Sequence, residues 1–177
     1  MSRAYYYFAA SLPMLDFDGD CPLSVEDFLE DCRRLLAPED FRRVRAVLSD
    51  EDKGLDGNGG PFVYRQWRSF QRRFLNEQVW FRAEEKGVDP WKFIEGDYYS
   101  DPVLREAVHQ AAKMDNLLEA ERFLDRIRWR YLDELCAGHY YDLDFILTYA
   151  VKLQILERHQ RLASCRGREI FDQMKLA

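Results

Sequence analysis

A chain of 177 residues, 47% apolar and 15% aromatic, is long enough to bury one ordinary core and too apolar to be a disordered segment. Its 33% of charged residues supply a solvated exterior, so neither a disulfide nor a structural metal is required to hold it together. The net charge of −6 and a cation set of 20 Arg against 6 Lys favour carboxylate pairing and protein interfaces over a nucleic-acid face.

The chain opens on Tyr5-Tyr6-Tyr7-Phe8-Ala9-Ala10-Ser11-Leu12-Pro13-Met14-Leu15, an apolar run too short to separate helix from extended chain. A helix that Pro13 ends or bends is the expected form. A polar connector, Asp16 to Pro22, leads to Ser24, whose hydroxyl and the acid at Asp27 have capping-box spacing for a helix to about Leu36. Pro38, Glu39 and Asp40 place a fixed φ and two negative charges at the start of the next helix, which runs to about Ser49. The stretch 50–61, with Gly54, Gly57, Gly59 and Gly60, is the one flexible loop of length within a single domain spanning 1–177.

Val63, Trp67, Phe70, Phe74 and Phe81 then recur on one face and predict a long helix from Phe62 to Lys86. Asp89-Pro90 and Asp101-Pro102 each put an N-cap acceptor before a proline suited to the first helical position, the first opening a short helix. Between Asp101 and about Ala137 the periodicity is helical throughout, as one helix or as two broken near Asp115-Asn116. Gly138 ends it, His139-Tyr140-Tyr141 turn, and Asp142 caps a last helix to about Ser164. Leu143, Ile146, Ala150 and Leu153 form one apolar stripe of that helix, and Leu147, Val151 and Ile155 a second, which predicts burial on several sides. Gly167 sets off a terminal piece, 169–175. No alternation typical of strands occurs, so the expected fold is all-α, a multi-helix bundle.

Motifs that carry chemistry are weak by comparison. Asp16-Phe17-Asp18-Gly19-Asp20 looks like the nucleophile motif of haloacid dehalogenase phosphatases, but that motif follows a buried parallel strand, and Leu12-Pro13-Met14 makes a poor one. As a calcium loop the same acids would put Cys21 where glycine is needed. The loop ending at Gly60 has no Lys-Ser or Lys-Thr after it and is no phosphate cradle. Cys21, Cys32, Cys136 and Cys165 lack the close pairing of zinc ligands and read as reduced thiols. His109, His139 and His159 read as surface or turn residues. No metal, cofactor or catalytic group is therefore expected. The start of the chain has no signal-peptide pattern. The apolar stretch 143–156 is shorter than the roughly 20 residues of a membrane span and carries Asp144 and Lys152, which points to a cytoplasmic protein. Arginine interleaved with aromatics at Arg65, Trp67 and Arg68, and again at Arg128 and Trp129, marks interface anchors.

In the C-terminal third, Leu124-Asp125-Arg126, Tyr131-Leu132, Asp142-Leu143 and Ile146 form a pattern that resembles the V/A-type ATPase subunit known as C or d. The opening segment, Tyr5 to Leu15, is similar to an uncharacterised bacterial family associated with such ATPases. Phe145 stands where the ATPase family carries asparagine, and Val151-Lys152 where it carries an arginine. The resemblance implies one helical lobe of a non-catalytic coupling piece. Its partners would be the central rotor stalk and the proteolipid ring, met at the inner face of the membrane. An unrelated helical adaptor is the alternative, and a phosphatase a remote one.

Overall fold

The computed structural model describes residues 5–49, 60–94 and 96–163. Seven α-helices follow in order: α1 (Tyr6–Ser11), α2 (Val25–Leu35), α3 (Pro38–Leu48), α4 (Phe62–Lys86), α5 (Pro102–Ala112), α6 (Leu117–Cys136) and α7 (Leu143–Ala163), with one 3-10 turn at Pro90–Lys92. Helix occupies 73% of the described residues and strand none, so the fold is all-α, a multi-helix bundle, and no doubly wound sheet stands behind Asp16. Residues 50–59 of the predicted glycine-rich loop, the piece 169–175 and Cys165 lie outside the described residues.

The helix boundaries follow the expected punctuation. Ser24 accepts from the Asp27 amide at 3.0 Å, and its hydroxyl donates to the Asp27 carboxylate at 2.6 Å. Asp89 accepts from the Trp91 amide, and Asp101 from those of Val103 and Leu104. The stretch after Asp101 is two helices: the α5 ladder ends near Lys113, and Asn116 accepts from the Leu118 amide at 3.0 Å to open α6. Gly138 closes α6 at φ +86, a backbone conformation that strains any residue with a Cβ.

The chain divides into two compact units, 1–64 with 129–177 and 65–128, with the divisions falling inside α4 and α6. In the first unit α7 is the centre. Leu143, Ile146, Leu147, Val151, Leu153 and Ile155 are all buried, as a helix apolar all round requires. α2 and α3 pack on it through Phe28, Cys32 and Val44, each fully buried. Directional bonds fix the packing: Glu157 accepts from the Val25 amide at 3.1 Å, and Gln154 donates to the Leu48 carbonyl at 3.0 Å. The N-terminal segment is tied in as well. The Tyr5 hydroxyl donates to buried Asp40, the Tyr5 amide donates to the Tyr141 carbonyl, and the Tyr149 hydroxyl donates to the Pro13 carbonyl at 3.0 Å.

The second unit is held differently. Trp67, Phe70 and Phe74 stack along α4 with centroid distances of 5.6 and 5.8 Å. The Arg128 guanidinium lies 4.3 Å from the Phe74 ring centre and donates at 2.8 Å to Asp125, which is fully buried. Glu77, also buried, accepts from the Asp101 amide at 2.8 Å, the Tyr98 hydroxyl at 3.0 Å and Arg105 Nε at 3.1 Å. Three donors converging on one carboxylate satisfy a charge that would otherwise be costly to bury. Burial acts to lower the Arg105 pKa, and its bonds to Glu77 and Tyr98 outweigh that and raise it.

Candidate functional site

In the first unit a group of one histidine and two aspartates stands where α6 gives way to α7. Gly138 reverses the chain, His139 to Tyr141 make the turn, and Asp142 opens α7 by accepting from the Phe145 amide at 3.0 Å through Oδ1. Its other oxygen lies 2.6 Å from His139 Nδ1, a bond that this nitrogen donates in the tautomer carrying its proton there. Asp144, buried in the first turn of α7, has Oδ2 at 4.0 Å from the same nitrogen, while its Oδ1 accepts from the Val63 amide at 3.0 Å.

One imidazole nitrogen and one oxygen from each carboxylate thus lie within 4.8 Å of one another. Nitrogen and oxygen donors at such separations can hold a divalent cation, each carboxylate being oriented by a backbone amide on its far oxygen. As they stand, His139 pairs with Asp142 at 2.6 Å, and Asp144 lies beyond hydrogen-bond reach of the ring at 4.0 Å. His139, Asp142 and Asp144 have no metal-motif spacing, which hides the group in the sequence; its signal there is the coincidence of a turn histidine with two acids opening a helix. Beside it, burial raises the Cys136 thiol pKa.

Tyrosines surround this corner. Tyr6 and Tyr141 lie 5.0 Å apart, and Tyr7, on the same short helix as Tyr6, is 96% exposed. Tyr140 is exposed too.

Six residues of the ATPase pattern, the proposed family signature, are placed in helix interiors and caps. Leu124, Asp125, Leu143 and Ile146 are buried, Tyr131 is half-buried, and Asp142 is the cap just described. Lys152, at the position where the family pattern carries arginine, lies 4.9 Å from the centre of the Trp129 ring and pairs with Asp133.

Of the five residues marked as interface anchors, Arg65 is exposed and Arg68 half-buried. Trp67 and Trp129 are buried, and the Arg128 side chain is only 13% exposed. The burial of three of the five has a simple cause. Arginine next to an aromatic on a helix can lie over a buried ring and pair with a buried acid, as Arg128 does over Phe74 and against Asp125, so the pattern marks the edge of a core as readily as a docking face. Asp16 and Asp18, the nucleophile pair of the phosphatase pattern, form a local turn in which Asp16 accepts from the Asp18 amide at 2.9 Å.

Residues 100–176 match the family described as protein of unknown function DUF2764. That span encloses the whole ATPase pattern and His139, Asp142 and Asp144. No curated protein and no solved structure matches the chain.

Proposed function

We propose that this chain is a non-catalytic helical subunit or accessory protein of a V/A-type ATPase, coupling the central stalk to the proteolipid ring. The observation that supports it is where the ATPase pattern falls. Leu124, Asp125, Leu143 and Ile146 are buried and Asp142 caps a helix, so the pattern describes a way of packing helices, as expected of a mechanical part. No helix of the described residues is long and apolar enough to cross a membrane, and contact with the ring would be made from the cytoplasmic side of the bilayer.

The test is an affinity pull-down of the tagged chain from gently solubilised native membranes, with bound proteins identified by mass spectrometry. Recovery of stalk or proteolipid subunits is the expected result. Their absence, with the ATPase shown intact in the same extract, would remove the reading. A helical adaptor for some other partner is the second reading, favoured by the exposed apolar side chains of the 88–99 segment, Val88, Trp91, Phe93 and Tyr99.

A further inference from the structure

The first unit carries a groove of about 470 Å³ bounded by α2, α3 and α7. Its apolar lining comes from Val25, Leu29 and Phe41, and its acids are Glu26 and Glu30 on α2 and Glu157 on α7. The walls are fixed from behind. The Val25 amide is bonded to Glu157, the end of α3 to Gln154, and Phe28 and Cys32, on the same helix as Val25 and Leu29, are fully buried. Such a groove keeps its shape without an occupant and demands little ordering when one arrives.

Charge says what the occupant is. Acids stand on both α2 and α7, and Glu26 and Glu30 are four residues apart, so they repeat at the spacing of one helical turn. Among the described residues, the one cation in the lining, Arg33, is paired with Glu30 at 2.7 Å, and both side chains are more than half exposed (64% and 53%). An ion pair so open to water is worth little, and an incoming cation can take the place of Arg33. We propose that this groove docks an amphipathic helix of a partner protein, with its apolar stripe on Leu29 and Phe41 and lysines or arginines on each side of the stripe meeting Glu26, Glu30 and Glu157. The net charge of −6 would draw a basic segment towards the chain from a distance. The proposal stands apart from the ATPase reading, since a basic helix could belong to a stalk protein or to any other partner.

The test is a fluorescence anisotropy titration of the whole chain against a labelled leucine-lysine peptide with leucines at helical spacing, beside a scrambled peptide of the same composition. Saturable binding of the amphipathic peptide alone is expected, weakening as salt is raised. The double variant Glu26→Lys/Glu30→Lys should weaken it by at least about tenfold, and Glu26→Gln by about two- to threefold. Glu85→Lys/Glu119→Lys makes the same change of charge at exposed positions in the other unit and should leave the affinity within about twofold of the parent. Circular dichroism confirms that each variant keeps its helix content. No binding, equal binding of the scrambled peptide, or equal loss in the two double variants would overturn the proposal.

Discussion

The unit centred on α7 is filled mainly by aliphatic side chains of that helix and holds its two buried carboxylates, Asp40 and Asp144, in the first turns of α3 and α7, whereas the unit 65–128 buries Glu77 and Asp125 in mid-helix, among stacked aromatic rings. The helices of both are made by the same devices of proline, caps and periodicity. What differs is how each interior is filled. Aliphatic packing is non-directional and fails by leaving a cavity; a buried carboxylate is directional and fails by leaving donors without an acceptor. Sequence change should therefore injure the two units by different routes.

The largest effect expected is from Leu153→Ala, which empties a fully buried position at the middle of α7. A loss of about 2–5 kcal/mol in urea unfolding is expected, with hydrogen exchange accelerated first in α2, α3 and α7. Equal acceleration in α5 would break the comparison. Glu77→Ala comes next. It strips the acceptor from Tyr98, the Asp101 amide and Arg105, and because Arg105 is 37% exposed and can turn to water, the cost is about 2–3 kcal/mol. Exchange should then rise first in α5, whose cap Asp101 is held by Glu77.

Tyr5→Phe tests one of the two buried acids of the aliphatic unit, Asp40. Removing the hydroxyl that Asp40 accepts should cost about 1 kcal/mol and expose the segment before α2 to limited proteolysis, leaving the other unit unchanged.

The smallest effect at neutral pH is that of Cys32. Burial is the main reason, and the Asp31 charge a lesser one, that its thiol is pushed up from 9.0 to about 12. A thiol that ionises later in the folded chain than in the unfolded one leaves stability untouched below pH 9 and lowers it as pH rises from there towards about 12. Cys32→Ala should flatten that alkaline decline, read as unfolding midpoint against pH. In the parent chain at neutral pH, iodoacetamide should modify the partly exposed Cys21 and Cys136 well before Cys32, as peptide mapping would show.

The helical framework was legible because its signals are local. Ser24, Pro38, Asp89-Pro90 and Asp101-Pro102 each open a helical element where a cap or proline belongs, and the apolar stripes of α7 and the α4 face from Val63 to Phe74 are buried as their spacing requires, with Phe81 half-buried. The two alternatives near Asp115-Asn116, one helix or two, are decided by a single cap at Asn116. The polar interior was not legible, since its partners are remote in sequence. Asp144 is answered by an amide 81 residues earlier, and Glu77 by donors 21 to 28 residues later. An acid read alone on a helix looks solvated; only the fold brings its donors. The same remoteness kept the α2, α3 and α7 groove out of view, because Glu157 reaches its banks from the far end of the chain.

The order of residues in the first unit sets a schedule for synthesis. Residues 65–128 are contiguous, so every partner within that unit has been made by residue 128, but α2 and α3 are made before residue 50 and must wait for α7, the helix they pack against, near residue 150. For about a hundred residues of translation, Phe28, Cys32 and Val44 have no lasting cover, and Tyr5 cannot yet reach Tyr141. The acids crowded on α2 and the start of α3 then act as gatekeepers, keeping a waiting apolar segment dispersed until its central helix emerges.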